Sequence, residues 1–156
     1  MKLSTKGKYG LRAMIDLAQY SEQEAVSISS ISHRQNISES YLEQLVAKLR
    51  KAGLVVSIRG AQGGYRLAKP AETISVGDVL RALEGNLKAV ECSAHTDEGC
   101  EGADVCVAKY VWQRINESIA RTVDEMMLDQ LVEESKKAQK NKTTQPVDYS
   151  SRSCLG

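Results

Sequence analysis

Leu42, Leu45, Val46 and Leu49 recur at i, i+3, i+4 and i+7, which places them on one buried stripe of a helix. At about 100° per residue the opposite side carries Ser40, Gln44, Ala47 and Lys51, flanked by Glu43 and Lys48. Ser38 is a good N-cap, Ser40 with Glu43 is a candidate capping box, and Gly53 can take the left-handed C′ conformation; the helix is expected to run for about fourteen residues. Beyond it, Leu54, Val56 and Ile58 alternate with Val55, Ser57 and Arg59, and Tyr65 and Leu67 resume the alternation after Gly60-Ala61-Gln62-Gly63-Gly64. That is a hairpin with a glycine-rich tip.

The flanking segments follow the same logic. Leu11, Met14, Ile15 and Ala18 give a helix within Ser4 to Tyr20. Residues 27 to 36 predict a short helix capped at Ser27, and Asn36-Ile37-Ser38 a tight turn. Ser75 to Asp78 caps a further helix carrying Val76, Val79, Leu80 and Leu83, ended by Gly85. Residues 86 to 105 lose periodicity and read as a loop. From Val105 to Ala138 a long stripe (Val111, Trp112, Ile115, Ile119, Val123, Met126, Met127, Leu131) predicts helix, with a candidate break where Thr122 and Glu125 could form a capping box. This stripe is longer than a small domain can cover, so it is expected to bury against a second copy. Residues from Lys140 onward have little to bury and are expected to be disordered.

Helix, turn, helix and hairpin in this order predict a mainly α protein with a small β-hairpin wing, a winged helix-turn-helix with a long dimerisation helix added. Charge supports a polyanion as partner. No Asp or Glu occurs from Gln44 to Lys69, whereas Lys48, Arg50, Lys51, Arg59, Arg66 and Lys69 are cationic. The small polar outer face of the second helix suits the floor of a DNA groove better than a hydrophobic protein partner. Lys2, Lys6 and Lys8 lie near the start of the first helix, where cations oppose the helix dipole. Either they contact phosphate or they form an ordinary exposed basic terminus.

Net charge is only +1 over 156 residues, but it is unevenly spread. Residues 1–85 carry twelve Lys and Arg against eight Asp and Glu, and residues 86–156 carry nine against twelve, so the halves differ in sign. No apolar run approaches a membrane span, and the N-terminal stretch lacks the apolar core of a signal peptide. A soluble cytoplasmic protein is expected, and its four cysteines then point to metal or redox use rather than to disulfides. Nothing matches a P-loop, a dinucleotide fingerprint or a catalytic triad, which argues against an enzyme.

Cys92, Cys100 and Cys106 form C-x7-C-x5-C among Glu91, Asp97, Glu98, Glu101 and Asp104, with no Lys or Arg between Lys88 and Lys109. Neighbouring carboxylates disfavour thiolates unless a metal centre is bound. Three cysteines require a fourth ligand for a zinc site or an iron–sulfur cluster, and His95 is the local candidate, ahead of the loop carboxylates and Cys154. The alternatives are an exposed loop histidine and three unrelated reduced thiols; Cys154, alone in a polar tail, reads as a bystander.

Four stretches carry a resemblance to a known family: the opening MKLSTKGKYG, the helix Ser40-Tyr41-Leu42-Glu43-Gln44-Leu45, the run from Lys48 to Val55, and the wing from Ser57 to Tyr65. With them the chain resembles, over residues 1 to about 135, the bacterial winged-helix regulators that include IscR, NsrR and CymR, and is most similar to the IscR members. The resemblance implies a homodimeric transcription factor on a two-fold operator in double-stranded DNA, mostly a repressor, acting on genes of iron–sulfur cluster biogenesis. It implies base reading by Ser38, Ser40, Glu43 and Gln44, minor-groove entry by Arg59, and a [2Fe-2S] cluster on Cys92, Cys100 and Cys106. The first cysteine spacing is two residues longer than usual in IscR members. Lys109 stands where a histidine ligand is expected and Lys8 where some relatives place an acidic ligand, so His95 is a candidate from this sequence alone. Residues 1–85 are then the DNA-binding domain, 86–105 the cluster-binding loop, 106–139 the dimerisation helix region and 140–156 the tail. The expected mechanism is a sensor in which the ligation state of the triad sets how two recognition helices lie across the operator. Nitric-oxide-sensing and zinc-structured regulators of the same family are the nearer alternatives, and a small iron–sulfur redox protein is the alternative of another class.

Overall fold

A computed structural model describes residues 3–92, 101–102 and 104–142. In chain order these form α1 (Thr5–Tyr20), α2 (Ile28–Gln35), α3 (Glu39–Lys51), β1 (Val55–Ile58), β2 (Gly64–Leu67), a 3-10 turn at Ala71–Thr73, α4 (Val76–Glu84), α5 (Ala108–Glu125) and α6 (Leu128–Lys140). The mainly helical class with one antiparallel hairpin is therefore as the sequence pattern indicates.

Serines start four of the helices. Ser4, Ser27, Ser38 and Ser75 lie in extended backbone, and each side-chain oxygen accepts a hydrogen bond from a backbone N–H of the first turn. At Ser75 the arrangement is a full capping box with Asp78. The box expected at Ser40 and Glu43 does not form. Ser38 already caps α3 by accepting from Tyr41 N at 3.3 Å, which leaves Ser40 inside the first turn with its side chain outward. Asn36 takes the left-handed conformation (φ 52°, ψ 51°) between α2 and α3, and Gly53 (φ 76°) ends α3.

The core sits where α1, α2, α3, α4 and α6 meet. Leu42, Leu45, Val46 and Leu49 are at most 1% exposed and pack with Met14, Leu17, Ile31 and Ile74. Each such leucine contributes about 1.5–3 kcal/mol by leaving water. Close approach of α1 and α4 depends on Gly10, where a Cβ would overlap the Leu83 side chain.

The hairpin register is Val55↔Leu67, Val56↔Arg66, Ser57↔Tyr65 and Ile58↔Gly64. One face, with Val55, turns to the core, so the alternation sends Val56 (39% exposed) and Ile58 (41%) outward. Val26, just before α2, pairs with Tyr65 through two 2.8 Å backbone hydrogen bonds, which ties the wing to the start of the helix-turn-helix.

The helical stretch expected over 105–138 is two helices, and the break falls just after Glu125, close to the candidate position. The chain is extended at Met126–Met127, where Val76 N donates to Met126 O (2.8 Å) and Leu128 N to Ile74 O (3.0 Å). Backbone pairing with the residues around Ser75 therefore replaces helical hydrogen bonds there. Thr122 lies within α5, its hydroxyl donating to Ser118 O rather than capping a new helix. After the break α6 returns along α1 and buries Leu128 and Val132 in the chain's own core. The apolar stripe is thus divided: Leu131 packs internally, while Val111 (52% exposed) and Ile115 (38%) stay exposed on α5.

Candidate nucleic-acid interface and cysteine segment

The stripe that buries one side of α3 turns Ser40, Glu43, Gln44, Lys48 and Lys51 outward, all exposed together with the cap residue Ser38. None of those five side chains makes a hydrogen bond or ion pair with another described residue, which leaves their donors and acceptors available. Arg59 is exposed at the wing tip, closed by a Gly63 N to Gly60 O hydrogen bond of 3.0 Å. Lys6 is exposed and Lys8 half-buried on α1; Lys2 lies outside the described residues.

Two polar clusters hold this surface in place. Asp16 is 2% exposed, and its carboxylate accepts from Arg34 Nε (2.9 Å), Arg34 Nη2 (2.7 Å) and Gln35 Nε2 (3.0 Å). The Arg34 guanidinium also lies 4.2 Å from the centroid of Tyr20, and its hydrogen bonding to Asp16 raises its pKa, against an opposing effect of burial. In the second cluster, Glu84 Oε1 accepts from Ser4 N (2.9 Å) and Gly7 N (3.0 Å), and also from the Ser4 hydroxyl. Burial pushes the Glu84 carboxyl up, but these hydrogen bonds, aided by Lys6, outweigh it and hold the group below its ordinary value. Glu84 thereby supplies the negative charge that the cation-rich start of α1 lacks in its own first turn.

Sequence reasoning missed Asp16, Arg34 and Glu84. Only Asp16 left a trace, as a carboxylate beside Leu17 on the inward side of an amphipathic helix.

Cys92 is half-buried and Cys106 exposed, and both are free thiols. Cys100, His95 and Cys154 lie outside the described residues. Among the described residues no three His, Cys, Asp or Glu side chains gather as a metal site. The chain leading to Cys92 is fastened twice. Leu87 is buried with Val76 and Leu80. Asn116, in the middle of α5, accepts from Ala89 N (2.9 Å) and Val90 N (3.4 Å) through Oδ1 and donates from Nδ2 to Val90 O (2.8 Å). On the other side, Cys106 N donates to Gly102 O (2.9 Å) just before α5 begins. Glu101 and Asp104 are exposed beside it, and Lys109 lies over the Tyr110 ring.

Comparison with known proteins identifies the family. The model of the Rrf2 family, described as an iron-dependent transcriptional regulator, matches residues 3–134. The HTH-type transcriptional regulator IscR of Pectobacterium carotovorum subsp. carotovorum is 43% identical over 132 residues, which span 85% of this chain and 79% of the relative. That of Vibrio campbellii is 42% identical over 135 residues, 86% and 79% of the two chains. Among solved structures, T. potens IscR aligns with a TM-score of 0.71 at 42% identity over 97% of both chains. CymR, the global cysteine regulator of B. subtilis, also aligns at 0.71, with 43% identity over 85% of this chain and 97% of its own. No described helix is long and apolar enough to cross a membrane. The chain belongs to the Rrf2 family: it is a DNA-binding transcriptional regulator of winged helix-turn-helix fold, and not an enzyme.

Proposed function

We propose that this regulator is a cytoplasmic homodimer that binds a two-fold operator in double-stranded DNA and senses a [2Fe-2S] cluster, acting mostly as a repressor of iron–sulfur cluster biogenesis genes. In this reading α3 enters the major groove, Ser38, Ser40 and Gln44 meet base edges, and Glu43 accepts from cytosine N4. Lys48, Lys51, Lys2, Lys6 and Lys8 contact phosphate, and Arg59 enters the minor groove. The exposed apolar face of α5, with Val111 and Ile115, meets its counterpart in the second copy.

The observation that carries the sensor reading is the placement of Cys92 and Cys106. Two unpaired thiols bracket a strongly acidic stretch between the DNA-binding helices and α5, and the chain before Cys92 is pinned to α5 itself. Thiols in carboxylate-rich surroundings fit a cationic metal centre, which would be held by Cys92, Cys100 and Cys106, with His95 as the local fourth ligand. When bound, such a cluster supplies a thiolate-ligated redox centre. Ligation of these cysteines fixes the path of the chain between α4 and α5, and α5 in turn sets the spacing of two α3 helices.

The test is anaerobic purification with visible absorption and iron, sulfide and zinc analysis of the wild type, Cys92→Ala and His95→Ala. Equal iron and sulfide, lost in Cys92→Ala, is the expected result, and His95→Ala reports whether the histidine is the fourth ligand. Zinc without sulfide would replace the sensor by a structural metal site. In parallel, operator and nonspecific DNA are titrated with loaded and metal-free protein; an equal change for both would count against control through helix placement.

A further inference from the structure

We infer that Asn116 is the positioning residue for Cys92: it fixes where the thiol stands relative to α5 before any ligand is bound. This deepens the sensor reading and rests on it for its biological meaning.

Asn116 makes an unusual use of a helix side chain. A polar residue on a solvent-facing helix ordinarily points to water, but Asn116 is half-buried and spends both ends of its amide on another segment's backbone. Its carbonyl takes two successive N–H groups, those of Ala89 and Val90, and its amino group gives one hydrogen back to Val90 O. The side chain therefore does for an irregular segment what a neighbouring strand would do: it satisfies backbone groups in both directions and fixes their orientation.

Val90 is two residues from Cys92, so the Cys92 Cα lies within about 7 Å of a point anchored on α5. Cys106 is two residues before the first residue of the same helix. One helix thus controls both described cysteines, Cys106 through chain continuity and Cys92 through Asn116. Leu87 restrains the segment further back, but an apolar contact sets neither the rotation nor the register of the peptide at 89–90. Asn86 braces the segment from within, accepting from Lys88 N (2.8 Å) and donating to Glu91 Oε1 (3.0 Å), but the hydrogen bonds that tie the peptide at 89–90 to α5 come from Asn116. Outer partners that orient metal ligands typically matter 10–100-fold in metal affinity, and Asn116 would act at that level without touching the metal.

Two measurements test this. In the first, the Cys106→Ser and, separately, the Cys92→Ser protein, metal-free, reduced and each also carrying Cys100→Ser and Cys154→Ser, is alkylated with iodoacetamide. With Asn116→Ala the rate at Cys92 should change several-fold while that at Cys106 stays the same and helicity by circular dichroism is retained. Asn116→Asp, which keeps the acceptor but loses the donor, should give an intermediate rate. In the second, anaerobically loaded wild type and Asn116→Ala, with all four cysteines present, are challenged with an iron chelator; iron should leave the variant about 10-fold faster. Unchanged Cys92 alkylation, or an equal rise at both cysteines with loss of helicity, would overturn the inference and reduce Asn116 to a general stabiliser of α5. Absence of iron from the wild type would overturn the sensor reading instead, and the alkylation arm would still decide the role of Asn116.

Discussion

The fork of the Arg34 guanidinium clasps the Asp16 carboxylate at 2.7 and 2.9 Å, with the acid side chain wholly buried and the base 30% exposed. This pair joins α2 to α1 in the last turn of α2, two residues before the left-handed Asn36 that aims α3. A contact remote from the outward surface of α3 thereby helps fix the angle at which that surface is presented.

Arg34→Ala leaves Asp16 buried with, among the described residues, only the Gln35 amide as partner. Because water reaches the arginine side, the loss should be smaller than for a fully buried pair, about 2–3 kcal/mol in urea unfolding. Arg34→Lys should recover only part of it, since an ammonium cannot form the two-pronged contact. Equal stability of the alanine variant and the wild type would show that the pair contributes nothing.

Glu84 predicts a pH dependence. Its pKa is lowered in the folded state, so its contribution is present above the unfolded value and is lost as pH falls through the folded one. Glu84→Gln should therefore cost about 1–2 kcal/mol near neutral pH. The gap between variant and wild type should close as pH drops below the ordinary glutamate value of about 4.3. Chemical unfolding of both proteins across acid pH checks the sign; a gap that widens in acid would refute it.

Glu43 and Arg59 are expected to act oppositely on DNA. A carboxylate in a groove repels phosphate and accepts only from suitable bases, so Glu43→Ala should relax discrimination by about 1–3 kcal/mol at one base pair without uniformly weakening binding. Arg59→Ala should weaken all sequences and reduce the slope of log affinity against log salt by about one. Fluorescence anisotropy against operator variants at several salt concentrations separates the two patterns.

The exposed α5 face predicts an assembly defect. Placing a charge at Val111 or Ile115 should convert a dimer to a monomer in sedimentation while leaving helicity intact, since neither residue is buried in its own chain. The monomer should bind a half-site far more weakly than the dimer binds the full operator. A charged variant that sediments as the wild type would remove α5 from the dimer contact.

Much of the fold was legible because its signals are local. The stripe of Leu42, Leu45, Val46 and Leu49, the serine caps and Gly53 each act within one or two helical turns, and the structure follows them closely. Reading failed where local signals competed. Ser38 and Ser40 are both plausible caps, and only the first has the extended backbone that capping requires. Thr122 and Glu125 form a capping pattern that the pairing of Met126–Met127 with Ile74–Val76 overrides.

By itself, the sequence determined the order of elements, the outward face of α3, the basic character of its surface and the presence of three cysteines in an acidic stretch, because helix periodicity, capping chemistry and charge are carried by residues close along the chain. Tertiary structure alone decided that Asp16 finds Arg34, that Glu84 closes the start of α1, that α6 folds back on α1, and that Asn116 holds the chain before Cys92. Each of these joins residues separated by between 18 and 80 positions, or helices at opposite ends of the chain, and satisfies polar or apolar groups whose partners no local pattern identifies.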